Sequence, residues 1–315
     1  MDKKKVIVIV GPTASGKSGL GIKLAQKING EIISCDSMQI YKKLDVGTAK
    51  VTKEEQELVK HHLIDIIDID TNFSVADFKS LCYDKIEEII NKGKTPILVG
   101  GTGLYVNSVI YDMNFKENEN SEEIKEYREY LYSLAEEKSN EYVHHMLEEI
   151  DELSAKAIHP NNLRRVVRAL EIAKFENNKK SEHMQNEEKR IQNLDLKYEF
   201  LVYYIDINRE SLYERINFRV DKMMESDNML KEAKLLFDNK ENASSTCLQA
   251  IGYKEFFDYF ENKASLEECI DKLKQNTRNY AKRQITWFKN KLVSKRIDGT
   301  LDVNENVNLI VNDIL

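Results

Sequence analysis

The sequence predicts an α/β fold: a P-loop doubly wound parallel sheet carrying a helical insertion domain. Three observations predict it. Val6-Ile7-Val8-Ile9-Val10 is a continuous β-branched run ending at Gly11, the pattern of a strand buried on both faces of a parallel sheet. Apolar runs of strand length then alternate with segments of helical period up to about residue 115. Between residues 116 and 193 the strand-like runs vanish and charge density rises.

In chain order, the segment Gly19-Leu20-Gly21-Ile22-Lys23-Leu24-Ala25 has helical periodicity and is closed by Asn29-Gly30. Glu31-Ile32-Ile33-Ser34-Cys35 follows as a second strand, completing a βαβ unit. A helix is expected over about residues 75–92, stopped by Gly93, and Pro96-Ile97-Leu98-Val99 before Gly100-Gly101 reads as another buried strand. In the insertion, Ile124, Tyr127, Leu131 and Leu134 recur at helical spacing. Residues 177–189, rich in Asn, Glu and Lys, read as a mobile connection. Phe200 to Asp206 returns to the sheet, and the remainder is expected to be helical to about Lys295. This places a core in residues 1–115 and 194–315 and the insertion in residues 116–193.

With 41% hydrophobic residues, 32% charged residues and 3 prolines in 315, disorder as the main state is excluded and a large core is expected. The formal charge of -7 advertises no nucleic-acid partner, so such a partner would need a locally basic face. Cys35, Cys82, Cys247 and Cys269 lie far apart without a Cys-x-x-Cys pair, which argues against a zinc site or disulfide framework. The apolar run after Lys3, Lys4 and Lys5 is too short for a signal-peptide core, and no stretch has the length of a membrane span. The expected compartment is the cytoplasm.

Gly11-Pro12-Thr13-Ala14-Ser15-Gly16-Lys17-Ser18 satisfies the P-loop pattern G-x-x-x-x-G-K-[ST], with a strand before it and a helix after it. Backbone N–H groups and the helix amino end converge there on a phosphate, Lys17 adds a point charge, and Ser18 is placed to hold Mg²⁺. Asp36 follows the second strand directly, at the same sheet edge. A carboxylate there could bind magnesium, cap a helix or accept a proton. Thr102, between Gly101 and Gly103 just past a strand end, can touch a substrate or simply belong to a tight turn. Arg215 and Arg219 share one helix face, and Arg164, Arg165 and Arg168 cluster on another. His61 and His62 have no metal-ligand spacing and read as structural. From Lys272 to Ile297 every charge is positive, with Tyr280, Trp287 and Phe288 interleaved, the footprint of phosphate contacts.

These residues in this order resemble the tRNA dimethylallyltransferase (tRNA isopentenylpyrophosphate transferase) family. The resemblance runs through the P-loop, Asp36-Ser-Met-Gln-Ile-Tyr41, Asp45-Val-Gly-Thr-Ala-Lys50, His61-His-Leu-Ile-Asp65, Phe73-Ser-Val-Ala-Asp-Phe78 and Gly100-Gly-Thr-Gly-Leu-Tyr105. It continues through Asn162-Leu-Arg-Arg-Val-Val-Arg-Ala-Leu-Glu171, Arg215-Ile-Asn-Phe-Arg-Val-Asp-Lys-Met223, Gln249-Ala-Ile-Gly-Tyr-Lys254 and Lys282-Arg-Gln-Ile-Thr-Trp287. It implies transfer of a dimethylallyl group from dimethylallyl diphosphate to N6 of adenosine 37, beside the tRNA anticodon, with Mg²⁺ as cofactor. The P-loop then cradles diphosphate, assisted by Arg215. Asp36, Thr102 and Arg219 are the expected catalytic residues, Asp36 as general base. The expected tRNA contacts are Asp36, Ser37, Met38, Gln39, Thr102, Arg164, Arg165, Arg168, Gln249, Gly252, Tyr253, Lys254, Lys282 and Arg283. The target adenosine is expected to be extruded from the anticodon loop, and the protein is expected to act as a monomer of bacterial form. Asp227-Asn228 stands where the family usually has a glycine, and a local change in left-handed geometry is expected there. The rival enzyme reading is a P-loop small-molecule kinase, which gives the basic run no role. A nucleotide switch would need a guanine-reading Asn-Lys-x-Asp motif, and the sequence has none.

Overall fold

The computed structural model describes residues 3–115, 122–175, 180 and 195–314, and the chain divides into two compact units. One comprises Met1–Asp112 with Leu196–Leu315, the other Met113–Asp195. The stretch read as a mobile connection lies outside the described residues except for Lys180.

The first unit is built on a fully parallel sheet of β1 (Lys4–Val10), β2 (Gly30–Ser34), β3 (His61–His62), β4 (Thr95–Gly100), β5 (Tyr198–Asp206) and β6 (Lys295–Asp298). Their spatial order is β3-β2-β4-β1-β5-β6. The β-branched run of β1 needs no polar face because both faces are covered. Val6, Val8 and Val10 pack with Phe78, Val106 and Phe288, whereas Ile7 and Ile9 pack with Leu20, Leu24 and Ile310. Those partners lie on helices to either side of the sheet, which makes the fold doubly wound.

Local signals set the elements around the sheet edge. Helix α1 (Lys17–Ile28) ends where Asn29 turns left-handed at φ 53°, as the Asn-Gly pair predicts. Gly21 lets α1 lie close on the sheet, since a Cβ there would come within 2.8 Å of Val99 Cγ2. A six-residue helix, α2 (Lys53–Leu58), precedes β3. Helix α3 (Val75–Asn91) starts on a capping box between Ser74 and Asp77, and α4 (Gly103–Ile110) leaves β4 through Thr102. His62 Nε2 lies 2.7 Å from the buried carboxylate of Glu31, which also holds Lys94 at 2.8 Å, so this histidine is structural.

Two readings of the carboxy-terminal third need correction. The long helix Leu266–Lys291 stops before Lys295, and Lys295–Asp298 is an edge strand that pairs with β5. A single apolar residue, Ile297, was too little signal for a strand. A closing helix, Val303–Ile314, then packs on α1's side of the sheet. Asp227 and Asn228 adopt no left-handed geometry, because Ser226 caps a helix that starts at Asp227.

The second unit contains the helices Glu122–Glu137, Asn140–Ile150, Glu152–Ala157 and Leu163–Phe175. Leu131, Val143, Leu147, Val166 and Leu170 form its core. The buried Glu171 carboxylate is matched there by Arg128 at 2.6 Å and Arg168 at 3.2 Å. All four cysteines are buried and unpaired. Among the described residues no helix is long and apolar enough to cross a membrane.

Candidate active site

β1, β4 and β2 are neighbours with register Val10 to Gly100 and Ser34 to Val99, so the three loops that follow them meet at one edge. They enclose a polar cavity of about 250 Å³ whose wall includes Thr13, Lys17, Ser18, Asp36, Gln39 and Arg219. The P-loop turns into α1 through two left-handed residues, Ala14 at φ 62° and Gly16 at φ 93°. Gly16 caps α1 without a side chain, leaving the first N–H groups of the helix to an anion.

Two cations and one carboxylate set the electrostatics. Lys17 Nζ donates to the Pro12 carbonyl at 2.6 Å. Burial first, then the Arg219 guanidinium, pull the Lys17 amine down to about 7, with Asp36 opposing them. Arg219 reaches in from the helix Arg209–Met224 and donates to Thr13 Oγ1 at 3.4 Å. Its own affinity for a proton is lowered by burial and supported by Asp36. A diphosphate entering here would meet cations already stripped of much of their water, the condition under which charge stabilisation is strongest.

Asp36 is both a cap and a wall residue. Its Oδ1 accepts from Met38 N at 2.9 Å and Gln39 N at 3.4 Å, which holds the carboxylate at the cavity. Oδ2 has no protein partner among the described residues. The P-loop is further braced by Gln284, which sequence reasoning missed. Gln284 Oε1 accepts from Thr13 N at 2.8 Å and its Nε2 donates to the Gly101 carbonyl at 2.9 Å. A Cβ on Gly101 would sit 2.4 Å from that Nε2, so glycine is what admits the brace. Tyr280, one helical turn earlier, also lines the cavity. Their i, i+4 spacing between charged residues was the available signal.

The donors that could hold a metal are oxygens: the Ser18 hydroxyl, the Asp36 carboxylate and the Glu55 carboxylate all line the cavity. This hard set suits Mg²⁺ completed by phosphate oxygens and water. Among the described residues no cluster of three or more His, Cys, Asp or Glu could hold an ion alone.

A profile of the family described as IPP transferase matches residues 39–291. The chain belongs to that family. It is 48% identical over 302 residues to the tRNA dimethylallyltransferase of Bacillus subtilis (strain 168), covering 96% of this chain and 93% of that protein. The Bacillus cereus (strain B4264) protein of the same name is 49% identical over 292 residues, covering 93% and 89% of the two chains. Among solved structures, the Staphylococcus epidermidis tRNA delta(2)-isopentenylpyrophosphate transferase superposes with a TM-score of 0.71 at 41% identity, over 99% of each chain. A eukaryotic dimethylallyltransferase acting on tRNA gives a TM-score of 0.80 at 33% identity, over 99% of this chain and 79% of that one.

Several site residues expected of an IPP transferase lie elsewhere. Arg215 is exposed and donates to the Gly299 carbonyl at 3.1 Å, so it does not join Arg219 at the P-loop. Thr102 stands behind the cavity wall. Its Oγ1 accepts from Ser37 N at 3.1 Å and donates to Ser37 Oγ at 3.4 Å, tying two strand-end loops together. Tyr253, expected to touch RNA, is fully buried and donates to Glu232 at 2.8 Å, so its ring is not presented on the surface. Gly252, at φ 116°, packs on the Gly47 carbonyl and is equally structural. Glu232 also accepts from the backbone N–H groups of Asp45, Val46 and Gly47 at 3.0 to 3.3 Å. That grip shapes the loop whose Thr48 and Ala49 carbonyls receive Gln39 Nε2 at 3.5 and 3.2 Å. Gln249, Lys282 and Arg283 are exposed, whereas Ser37, Met38 and Lys254 are half-buried. In the second unit Arg164 and Arg165 are exposed, but Arg168 is committed to Glu171. The basic run is also less free than its sequence implies, because Lys272, Lys274 and Lys295 pair with Asp258, Asp221 and Asp313 at 2.9, 2.6 and 2.6 Å.

Proposed function

We infer that this chain transfers a dimethylallyl group from dimethylallyl diphosphate to N6 of adenosine 37 of tRNA, releasing diphosphate. The observation that carries the reading is the joining of Lys17, Arg219 and Asp36 at one P-loop cavity in a member of the IPP transferase family. The allylic C1–O bond breaks as the N6–C1 bond forms. The electron pair leaves with diphosphate, where Lys17 and Arg219 stabilise the growing charge. The adenine amine loses its proton to the Asp36 carboxylate, whose Oδ1 is held by the turn while Oδ2 is left for the base. When bound, Mg²⁺ held by Ser18 and diphosphate oxygens would neutralise further leaving-group charge. A free tRNA substrate is consistent with a cytoplasmic enzyme, and one chain holds the complete set of donor-site groups, consistent with a monomer.

The test is incubation with radiolabelled dimethylallyl diphosphate and an anticodon stem-loop bearing three consecutive adenosines. Label on the RNA, lost with Lys17→Ala in a folded protein, is expected. ATP-dependent phosphorylation of a small molecule without prenyl transfer would replace this reading by a kinase.

A further inference from the structure

A second and larger cavity, about 850 Å³, opens at the carboxyl ends of β5 and β6. Apolar residues part it from the donor site: Ala14 lines the donor cavity, Ile207 and Ile285 line the second one, and all three belong to one cluster. Four cations from three elements face this second space: Arg209 at the start of the Arg209–Met224 helix, Lys282 and Lys289 on Leu266–Lys291, and Arg296 on β6. Only two carboxylates accompany them, Asp206 and Asp298.

Two carboxylates against four cations leave a formal excess of two positive charges, four less two. Asp298 Oδ1 is occupied by Thr300, accepting from its N at 2.8 Å and its Oγ1 at 2.6 Å. Asp206 forms long ion pairs with Lys289 Nζ at 3.6 Å and Arg296 at 3.9 Å and so offsets one of the two charges. Arg209 stacks over the Tyr213 ring at 5.1 Å, and Lys282 has no carboxylate within ion-pair distance among the described residues. An excess of positive charge thus gathers in one concavity of a chain whose formal charge is -7. The amino end of a 16-residue helix opens on the same space and adds to the positive potential.

We propose that this cavity seats backbone phosphates of the tRNA, as a positioning site separate from the donor diphosphate site. The proposal rests on the tRNA reading above. All four cations are exposed and spread along an open concavity rather than converging on one point. From Lys282 to Lys289 is about 10 Å along the helix axis, a span that meets successive phosphates better than a single free ion. The one aromatic ring in the wall is already covered by Arg209, so a base has no stacking platform there. Such contacts position RNA without reading its sequence. Tyr280 and Gln284 on the same helix line the donor cavity, so one element carries both the RNA grip and the brace of the reacting site.

The experiment compares the full-length wild type with Arg209→Ala and with the Lys289→Ala, Arg296→Ala double variant. Lys234→Ala, which breaks a surface pair with Asp238, is the control. A tRNA transcript is titrated over a range of potassium chloride concentrations, and inorganic diphosphate binding is measured in parallel. The slope of log affinity against log salt should become shallower by about 0.7 to 0.9 for each phosphate that is no longer neutralised. Diphosphate binding and the control should match the wild type. Thermal melting is recorded for each variant, and Lys282→Ala replaces any that fails to fold. A wild-type salt slope in folded variants overturns the proposal. Loss of adenosine nucleotide binding with tRNA affinity intact overturns it too, in favour of a small-molecule site. If the wild type itself neither binds tRNA nor prenylates it, the proposed function fails first, and the wild-type measurement alone shows it before any variant is compared.

Discussion

If the cavity takes diphosphate as proposed, Lys17 should make that binding a proton-coupled event. Its amine is held at about 7 by burial and by Arg219, so near neutral pH roughly half of the free enzyme carries an uncharged lysine. Anion binding favours the charged form, and the proton must come from solvent. The uptake due to Lys17 should be about 0.1 proton at pH 6, 0.5 at pH 7 and 0.9 at pH 8. Each pH unit above 7 then weakens the lysine-dependent part of diphosphate binding by about 1.4 kcal/mol. Isothermal titration of inorganic diphosphate in buffers of different ionisation enthalpy measures the uptake. Diphosphate titrates in this range itself, so the quantity of interest is the difference between wild type and Lys17→Arg, whose guanidinium stays charged. Arg219→Gln should shrink the difference at pH 7 to 8, because it removes the second cause that depresses Lys17. Equal proton uptake by wild type and Lys17→Arg at pH 8 would refute the reasoning. Folding carries the opposite sign. The unfolded chain keeps this lysine protonated up to its ordinary value of 10.5, so its contribution to stability rises with pH between about 7 and 10.5. Lys17→Met should therefore raise Tm at pH 6 while abolishing transfer.

Asp36→Asn keeps an acceptor for Met38 N but removes the proposed base, so kcat should fall at least about a hundredfold with little change in tRNA affinity. A loss confined to KM would leave Asp36 as a turn cap. Gln284→Leu orphans the Thr13 N–H and the Gly101 carbonyl, at about 1 to 3 kcal/mol per buried group. Weaker diphosphate binding and a lower Tm should appear together. Glu232→Gln exchanges a carboxylate oxygen for an N–H donor opposite three backbone donors and should lower stability by about 2 kcal/mol or more. Tyr253→Phe should do less, by denaturant melt. Glu31 is pushed up by burial, but Lys94, His62 and Lys92 outweigh that and hold it at about 2. Its contribution is present above the ordinary value of 4.5 and lost as pH falls through about 2, so Glu31→Gln should destabilise the protein at pH 6 and not at pH 2.

Features encoded by short spacings could be read directly from the chain. The β-branched run of β1, the P-loop with its flanking strand and helix, the Asn29 stop and the position of Asp36 after β2 each depend on residues within a few positions of one another. Periodicity and steric preference act over that range, so the amino-acid order alone specifies them. The donor site depends on more than that. Gln284 meets Thr13 across 271 positions, and its i, i+4 spacing from Tyr280 marks a shared helix face without recording that this face meets a P-loop. Arg215 and Arg219 share a helix face, yet only Arg219 reaches the loop, because Arg215 is turned to the Gly299 carbonyl. The run from Lys272 to Ile297 is free of acids in sequence, but Asp258, Asp221 and Asp313 fold onto it and leave its excess charge around Lys282, Lys289 and Arg296. Coulomb attraction depends on distance in space, which chain order does not contain until the sheet has been assembled.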